Sequence, residues 1–245
     1  MKVTVVYYPG DPAAKGAAEA LEREYGIKAL ELPEDPPFFD FNSLAGDAFI
    51  VLSRHSSEKR VKAFTVHHTG NFGEAKLGGE PKRLGVAYPS LACSLLRAMN
   101  AFRREGYDVT YEATHHGPTS DKPLVFAEIG SVKEDWEDPA NHEVLAKAVA
   151  SWEEHRCEAP KAVWVGGPHY SKRATKRCLE GEACFGHIAP KYALDHLDED
   201  LLRQMVERSF ERPERAYVEK KSLKSELRLR VVKALEDLGL EVLVV

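Results

Sequence analysis

Short β-branched and aromatic runs recur along the chain, among them "VTVVYY", "FIVLSRH", "AFTVHH", "LVFAEIG" and "KAVWVGG", and stretches with a helical period separate them. Strands alternating with helices in this way predict an α/β fold: a single domain over residues 1–245 with a mainly parallel or mixed sheet flanked by helices. The helical stretches carry their own punctuation. Asp11 stands as an N-cap before Pro12, a favoured first helical residue. Leu91, Leu95, Ala98 and Phe102 fall on one stripe, as do Val144, Leu145, Ala148, Val149 and Trp152, so both segments are expected to pack on a core. The proline-rich "LPEDPPFFDF" reads as a connection. Thr69 to Arg83, with four glycines and no hydrophobic period, reads as a mobile loop, either connector or lid.

Composition narrows the partners. With 43% hydrophobic and 30% charged residues, a chain of 245 residues can bury a substantial core. No apolar run has the length needed to span a bilayer, and "MKVTVVYYPG" lacks a signal core, so a cytoplasmic protein without a membrane partner is expected. The formal charge of −5 excludes a uniformly basic coat but leaves room for a local basic patch. Cys93, Cys157, Cys178 and Cys184 show no CxxC spacing and are too few for a disulfide framework, so reduced thiols are expected, with Cys93 a packing residue in a helix.

In open α/β sheets, ligands bind outside the carboxyl ends of strands. Here His55 follows "FIVLSR", His67 and His68 follow "AFTV", His115 and His116 follow "VTYEAT", His169 follows "VWVGGP", and Glu128 lies within "LVFAEIGS". Five segments delivering imidazole or carboxylate predict one shared polar site. Imidazole with carboxylate suits zinc, which takes nitrogen and oxygen ligands. The same residues equally suit a metal-free site, with one histidine as general base and others donating to an oxyanion. Neighbouring side chains on a strand point to opposite faces, so a histidine pair serves one pocket only where the chain turns. The two pairs are therefore expected as two walls of one pocket.

No Walker loop, dinucleotide fingerprint or GxSxG elbow is present. "HEVLA" has Ala146 where a zinc-protease motif needs its second histidine, so His142 reads as a surface residue, and so do His155 and His196. In "GGPHYSKRATKRC" two glycines precede a helix start that would attract an anion, and Lys172, Arg173, Lys176 and Arg177 form a positive face beside it. With "KRLG" and Arg103–Arg104 this face makes a candidate track for a nucleic-acid backbone. "GHIAPKYAL" adds His187, Lys191 and Tyr192.

Taken in order, "SRH", "HHTGN", "THHGPT", "AEIGS", "GGPHYSKRAT" and "GHIAPKYAL", from Ser53 to Leu194, resemble the archaeal and plant-type D-aminoacyl-tRNA deacylases. The resemblance implies a zinc-associated hydrolase with a phosphorylase/peptidyl-tRNA hydrolase-like α/β fold. Its expected partner is tRNA charged with a D-amino acid, whose ester to the terminal ribose it would hydrolyse with a metal- or His-activated water. On the matched positions we expect metal ligation by His55, His67, His115 and Glu128 and direct action by His68, Asn71, His116, His169 and His187. Substrate contact is expected from Tyr170, Lys172, Arg173, Lys176, Arg177, Lys191 and Tyr192. Two alternatives stand beside this: a metal-dependent amidase or peptidase on small substrates, and a non-catalytic RNA-binding module.

Overall fold

Side-chain alternation along β3 (Ala48–Ser56) sorts the layers of the molecule. In the computed structural model, which describes residues 2–245, Ile50 and Leu52 point to one side and Phe49 and Val51 to the other. β3 lies within a six-stranded sheet with β1 (Val3–Tyr7), β2 (Leu30–Glu31), β4 (Ala63–His67), β5 (Asp108–Tyr111) and β6 (Leu124–Ser131), in the order β2-β1-β3-β6-β4-β5. Every pairing is parallel except that of β4 with β6. A second, all-parallel sheet holds β7 (Lys161–Val165), β8 (Cys184–Ala189), β9 (Arg215–Val218) and β10 (Glu241–Val244), in the order β10-β9-β7-β8.

The mixed α/β architecture is as expected, with two differences. The strands divide between two sheets, and β9 went unread because its four residues sit between the charged stretches "RPE" and "EKK". β9 nonetheless occupies a central position, between β10 and β7.

One face of the large sheet carries Ile50, Leu52, Phe64, Val66, Val125, Ala127 and Ile129 into the main core. Three helices cover it: α1 (Pro12–Tyr25), α2 (Pro89–Phe102) and α4 (Pro139–Ala150), which follows the single turn α3 (Lys133–Trp136). Ala13, Ala14 and Ala17 on α1 let that helix lie close, while Leu21, Leu91, Leu95 and Leu145 fill the layer. Each such leucine contributes about 1.5–3 kcal/mol on burial. The same core runs on through Trp164, Phe185 and Tyr217 of the second sheet. That sheet's other side packs on α6 (Glu199–Glu207) and α7 (Ser225–Asp237). Among the described residues no helix is long and apolar enough to cross a membrane.

The opposite face of the large sheet begins apolar, with Phe49, Val51, Leu124 and Phe126. It then turns polar, and the functional groups collect there. The two sheets are stitched at this point by residues 111–114, at and just beyond the end of β5. Glu112 N–H donates to Val66 O, Ala113 N–H to His169 O and Thr114 N–H to Ile188 O, while Ser171 N–H donates to Tyr111 O.

The cysteine expectation is corrected. Cys93 on α2 and Cys178 on α5 (Lys172–Leu179) are joined by a disulfide across a Cα–Cα distance of 5.9 Å, and Cys157 and Cys184 remain free and buried. Spacing cannot reveal a pairing made only when two helices pack.

Asp11 caps α1 as expected, its Oδ1 accepting from Ala13 N–H (2.9 Å) and Ala14 N–H (3.1 Å). Its Oδ2 also accepts from Arg54 N–H of β3 at 2.8 Å, so one buried carboxylate ties helix to sheet. Asp11→Ala is expected to lower the unfolding free energy by about 1–2 kcal/mol in urea titration. An unchanged midpoint would show that the cap is dispensable.

Candidate active site

Antiparallel pairing of β4 with β6 decides which side chains meet. Glu128 of β6 lies opposite Ser53 of β3 and Thr65 of β4; His55 is opposite Gly130, and His67 is opposite Phe126. Glu128 therefore stands between two histidines on the polar face. One of its oxygens lies 3.7 Å from His55 Nδ1, the other 3.6 Å from His67 Nε2, and Thr65 Oγ1–H donates to it at 3.2 Å. The ring of His55 fills the space a side chain at 130 would need: a Cβ on Gly130 would lie 2.6 Å from its Cδ2. The site thus spreads over the face of the sheet instead of sitting only beyond its strand ends, because β3 and β4 run in opposite directions and their final histidines approach from opposite sides.

At the centre is Glu112, a residue the sequence reading passed over. Its carboxylate has no exposed side-chain surface and contacts His55 Nδ1 at 3.0 Å, His169 Nε2 at 2.8 Å and His115 Nε2 at 3.7 Å. His55 Nε2 pairs with the Tyr170 hydroxyl, and His169 Nδ1 accepts from the Tyr192 hydroxyl at 2.9 Å. The signal was available: an acid inside the strand-like "VTYEAT", three residues before a histidine pair.

His67, His115 and His116 form a second array, with one ring nitrogen of each within 4.8 Å of the others. Their Nδ1 atoms face backbone carbonyls, those of His68 (3.2 Å), Ala113 (2.8 Å) and Gly117 (2.5 Å) respectively. Nδ1–H donation to those carbonyls leaves the Nε2 lone pairs free, and the buried Nε2 of His67 has no hydrogen-bond partner. His116 joins its neighbour on one side because its φ of +41° turns the chain there.

The other histidine pair behaves differently. β4 ends at His67, and His68 points the other way, donating Nδ1–H to Gly186 O (3.0 Å) and accepting Tyr88 N–H at Nε2 (3.0 Å). His187 is likewise spent on Gly85 O, Arg208 O and Thr114 Oγ1. Asn71 donates to Gly78 O and Glu80 O, pinning the glycine-rich loop. The ring nitrogens of His68 and His187, expected to act directly, are committed to these partners, whereas Asn71 keeps its Oδ1 unengaged on the wall of the smaller cavity. The expected ligand set of His55, His67, His115 and Glu128 is divided between two groups, with Glu112 completing one and His116 the other.

The basic face is neutralised where it stands. Lys172 pairs with Asp108, Arg173 with Glu219, Lys176 with Glu180 and Arg177 with Glu182. Farther along the proposed track, Arg104 pairs with Asp138 and Lys82 with Asp198. Lys191 is exposed beside Tyr192. His142 accepts no catalytic task, its Nε2 meeting Trp136 O, and His155 packs edge-on to Phe102. His196, read as a surface residue, is exposed but helps line a cavity.

Two cavities share the imidazole wall. One, of about 380 Å³, is lined by Asp11, Asp35, His55, Glu128 and His169; the other, of about 230 Å³, by Phe72, Tyr192, Ala193 and His196; His115 and His116 border both. Protonation differs sharply across the site. Burial pushes His67 down to about 4 and His116 to about 3, and holds His115 well below its ordinary value, so these imidazoles are neutral. Burial would also raise Glu112, but hydrogen bonds from His169 and His55 outweigh it and hold the carboxyl well below the carboxylate range. Burial and then the charge of Glu112 push Glu128 well above that range. For His55, burial works downward, and the hydrogen bond and charge of Glu112 lift it above its ordinary value. Two carboxyls driven apart in this way define one anion and one proton carrier.

Residues 43–243 match the family described as D-aminoacyl-tRNA deacylase. A protein of that name from Staphylothermus marinus is 41% identical, over 91% of this chain and 92% of its own length. The Aeropyrum pernix protein of the same name is 39% identical over 99% of both. Among solved structures, a conserved protein of unknown function superposes with a TM-score of 0.89 at 30% identity, covering 99% of this chain and 94% of that one.

Burial of neutral histidines links stability to pH. Burial pushes His68 down to about 3 and His187 to about 4, from 6.5. Between those values the unfolded chain binds more protons than the folded one. Stability is therefore complete above about pH 6.5 and falls with acid, by about 1.4 kcal/mol per pH unit for each such histidine. Urea midpoints are expected to drop steadily from about pH 7 to about pH 4.5, and His187→Gln should make that fall shallower. A flat profile would contradict the burial of neutral rings.

Proposed function

The chain belongs to the D-aminoacyl-tRNA deacylase family, and from that premise we propose that it hydrolyses the ester joining a D-amino acid to the terminal ribose of tRNA, in the cytoplasm. The observation that supports this chemistry best is the contact of ionised Glu112 with His169. Glu112 Oε2 holds the proton of His169 on Nε2, which leaves Nδ1 as the lone pair able to take a proton from water. Tyr192, whose hydroxyl occupies that Nδ1, is exposed and free to swing away as substrate enters. Glu112 lifts His55 above its ordinary value against the effect of burial, and when protonated His55 would direct Nε2–H at the Tyr170 oxygen, turning the Tyr170 O–H outward, where an oxyanion would form. Glu128, protonated by its surroundings, is the proton reserve on the same cavity wall for the departing ribose oxygen.

Zinc fits this donor set. His67, His115 and His116 would hold it: three neutral imidazoles, Nδ1 anchored to carbonyls, with an orphaned buried Nε2 on His67. When bound, the ion would supply a Lewis acid to the ester carbonyl. With three protein ligands the site would keep a position open for water or substrate, as catalytic zinc sites do.

Recognition of tRNA falls to the exposed groups at the cavity mouth, with Lys191 and Tyr192 as the contacts for the acceptor end. The ion-paired face of α5 contributes less than its composition suggests.

Purified protein is expected to release D-tyrosine from D-tyrosyl-tRNA much faster than L-tyrosine from the L-ester, and equal or absent release would refute the function. His169→Ala should lower kcat by about 10²–10⁴-fold. Elemental analysis of chelator-free protein should find zinc, with the content lost in His116→Ala; protein free of metal would refute the zinc assignment while leaving the hydrolytic reading standing.

A further inference from the structure

The four cysteines lie together in the core, away from the histidine site. Cys93 and Cys178 form the disulfide that ties α2 to α5. The sulfurs of Cys157, which precedes β7, and Cys184, which opens β8, lie within 4.8 Å of each other and of Cys93 Sγ. The Cys184 thiol donates to the Cys157 carbonyl oxygen at 3.4 Å, and Ala159 N–H and the Arg97 guanidinium act on the Cys157 sulfur from nearby. The pairing with Cys184 first, then Ala159 and Arg97, outweighs burial and pulls the Cys157 thiol down to about 6, while the same pairing and burial push Cys184 up. A stabilised thiolate next to a disulfide, with a protonated thiol behind it, has the parts that thiol–disulfide exchange requires.

We propose that the four cysteines form an internal thiol–disulfide exchange centre, with Cys157 the attacking sulfur and Cys184 the resolving one. In the first step the Cys157 thiolate bonds to Cys93 Sγ, the Cys93–Cys178 bond breaks, and its electron pair leaves on Cys178, which takes the proton of Cys184. The Cys184 thiolate then bonds to Cys157 Sγ, and the pair of the Cys93–Cys157 bond leaves on Cys93. Cys93 recovers the one proton released when the Cys157 thiolate formed. One disulfide and two thiols are present before and after, so no outside oxidant or reductant enters. The bond merely moves, from helix–helix (Cys93–Cys178) to segment–strand (Cys157–Cys184).

The move reaches the catalytic wall through α5. Thr175 on that helix accepts Tyr111 N–H at 2.9 Å, beside Glu112, and the helix follows directly on His169 and Tyr170. With Cys178 released, α5 loses its covalent tie to α2.

Non-reducing peptide mapping of acid-quenched, alkylated wild-type protein tests this. Peptides linked through Cys157–Cys184 are expected beside those linked through Cys93–Cys178, at about 1% of molecules or more. In Cys184→Ser the exchange should stop halfway, giving a Cys93–Cys157 link with Cys178 alkylated. Wild-type protein containing only Cys93–Cys178, or no disulfide, overturns the proposal whether or not the variant folds. A folded variant without the Cys93–Cys157 link overturns the role given to Cys157.

Discussion

Burying an ionised carboxylate costs several kcal/mol unless opposite charge and hydrogen bonds surround it, and Glu112 is such a group. Its partners come from separate parts of the chain: His55 from β3, His169 from the loop after β7, His115 from the turn after β5. Satisfying this one charge therefore holds the edge of the large sheet against the second sheet. The backbone bonds of residues 111–114 to Val66, His169, Ser171 and Ile188 do the rest. The same charge sets the protonation of its neighbours, lifting His55 and adding to the burial that lifts Glu128.

Two arrays of imidazole are built around it with different electrostatics. Near the carboxylate, His169 hydrogen-bonds one oxygen of Glu112, His55 Nδ1 lies 3.0 Å from the other, and both rings meet tyrosine hydroxyls at their remaining nitrogens. A few ångströms away, His67, His115 and His116 are neutral, packed tilted or edge to face with ring centroids 4.2–4.8 Å apart, and their Nδ1 atoms are committed to carbonyls. His115 belongs to both, because its Nε2 also faces Glu112. An ester lying along this wall would meet a proton acceptor on one side and free nitrogen lone pairs on the other.

Much of this was legible in the chain itself. The cap at Asp11, the stripe through Leu91 and Leu95, and the histidine-terminated runs each follow from local chemistry, and each is found where expected. The ordered motifs from Ser53 to Leu194 pointed to the family to which the chain belongs. What local pattern could not supply was pairing between distant segments. Antiparallel β4 brings Thr65 and Glu128 together, and nothing in "AFTVHH" states that direction. Whether a histidine faces the site depends on such partners: His68 and His67 are neighbours, yet one is consumed by Gly186 and Tyr88. The positive face of α5 looked available because its acidic partners Asp108 and Glu219 lie far off in sequence. Glu112 was hidden because two of its partners, His55 and His169, lie 57 residues away on either side and meet it only in the fold.

Replacing Glu112 by glutamine keeps the shape of the side chain and removes its charge. With that charge gone, kcat on D-aminoacyl-tRNA is expected to fall by about 10²-fold or more with KM little changed, because His169 loses the group that fixes its tautomer. The His55 imidazole, followed by NMR, should titrate at lower pH than in the wild type. A Glu112→Gln enzyme with wild-type kcat and an unmoved His55 titration would contradict the role given to this carboxylate.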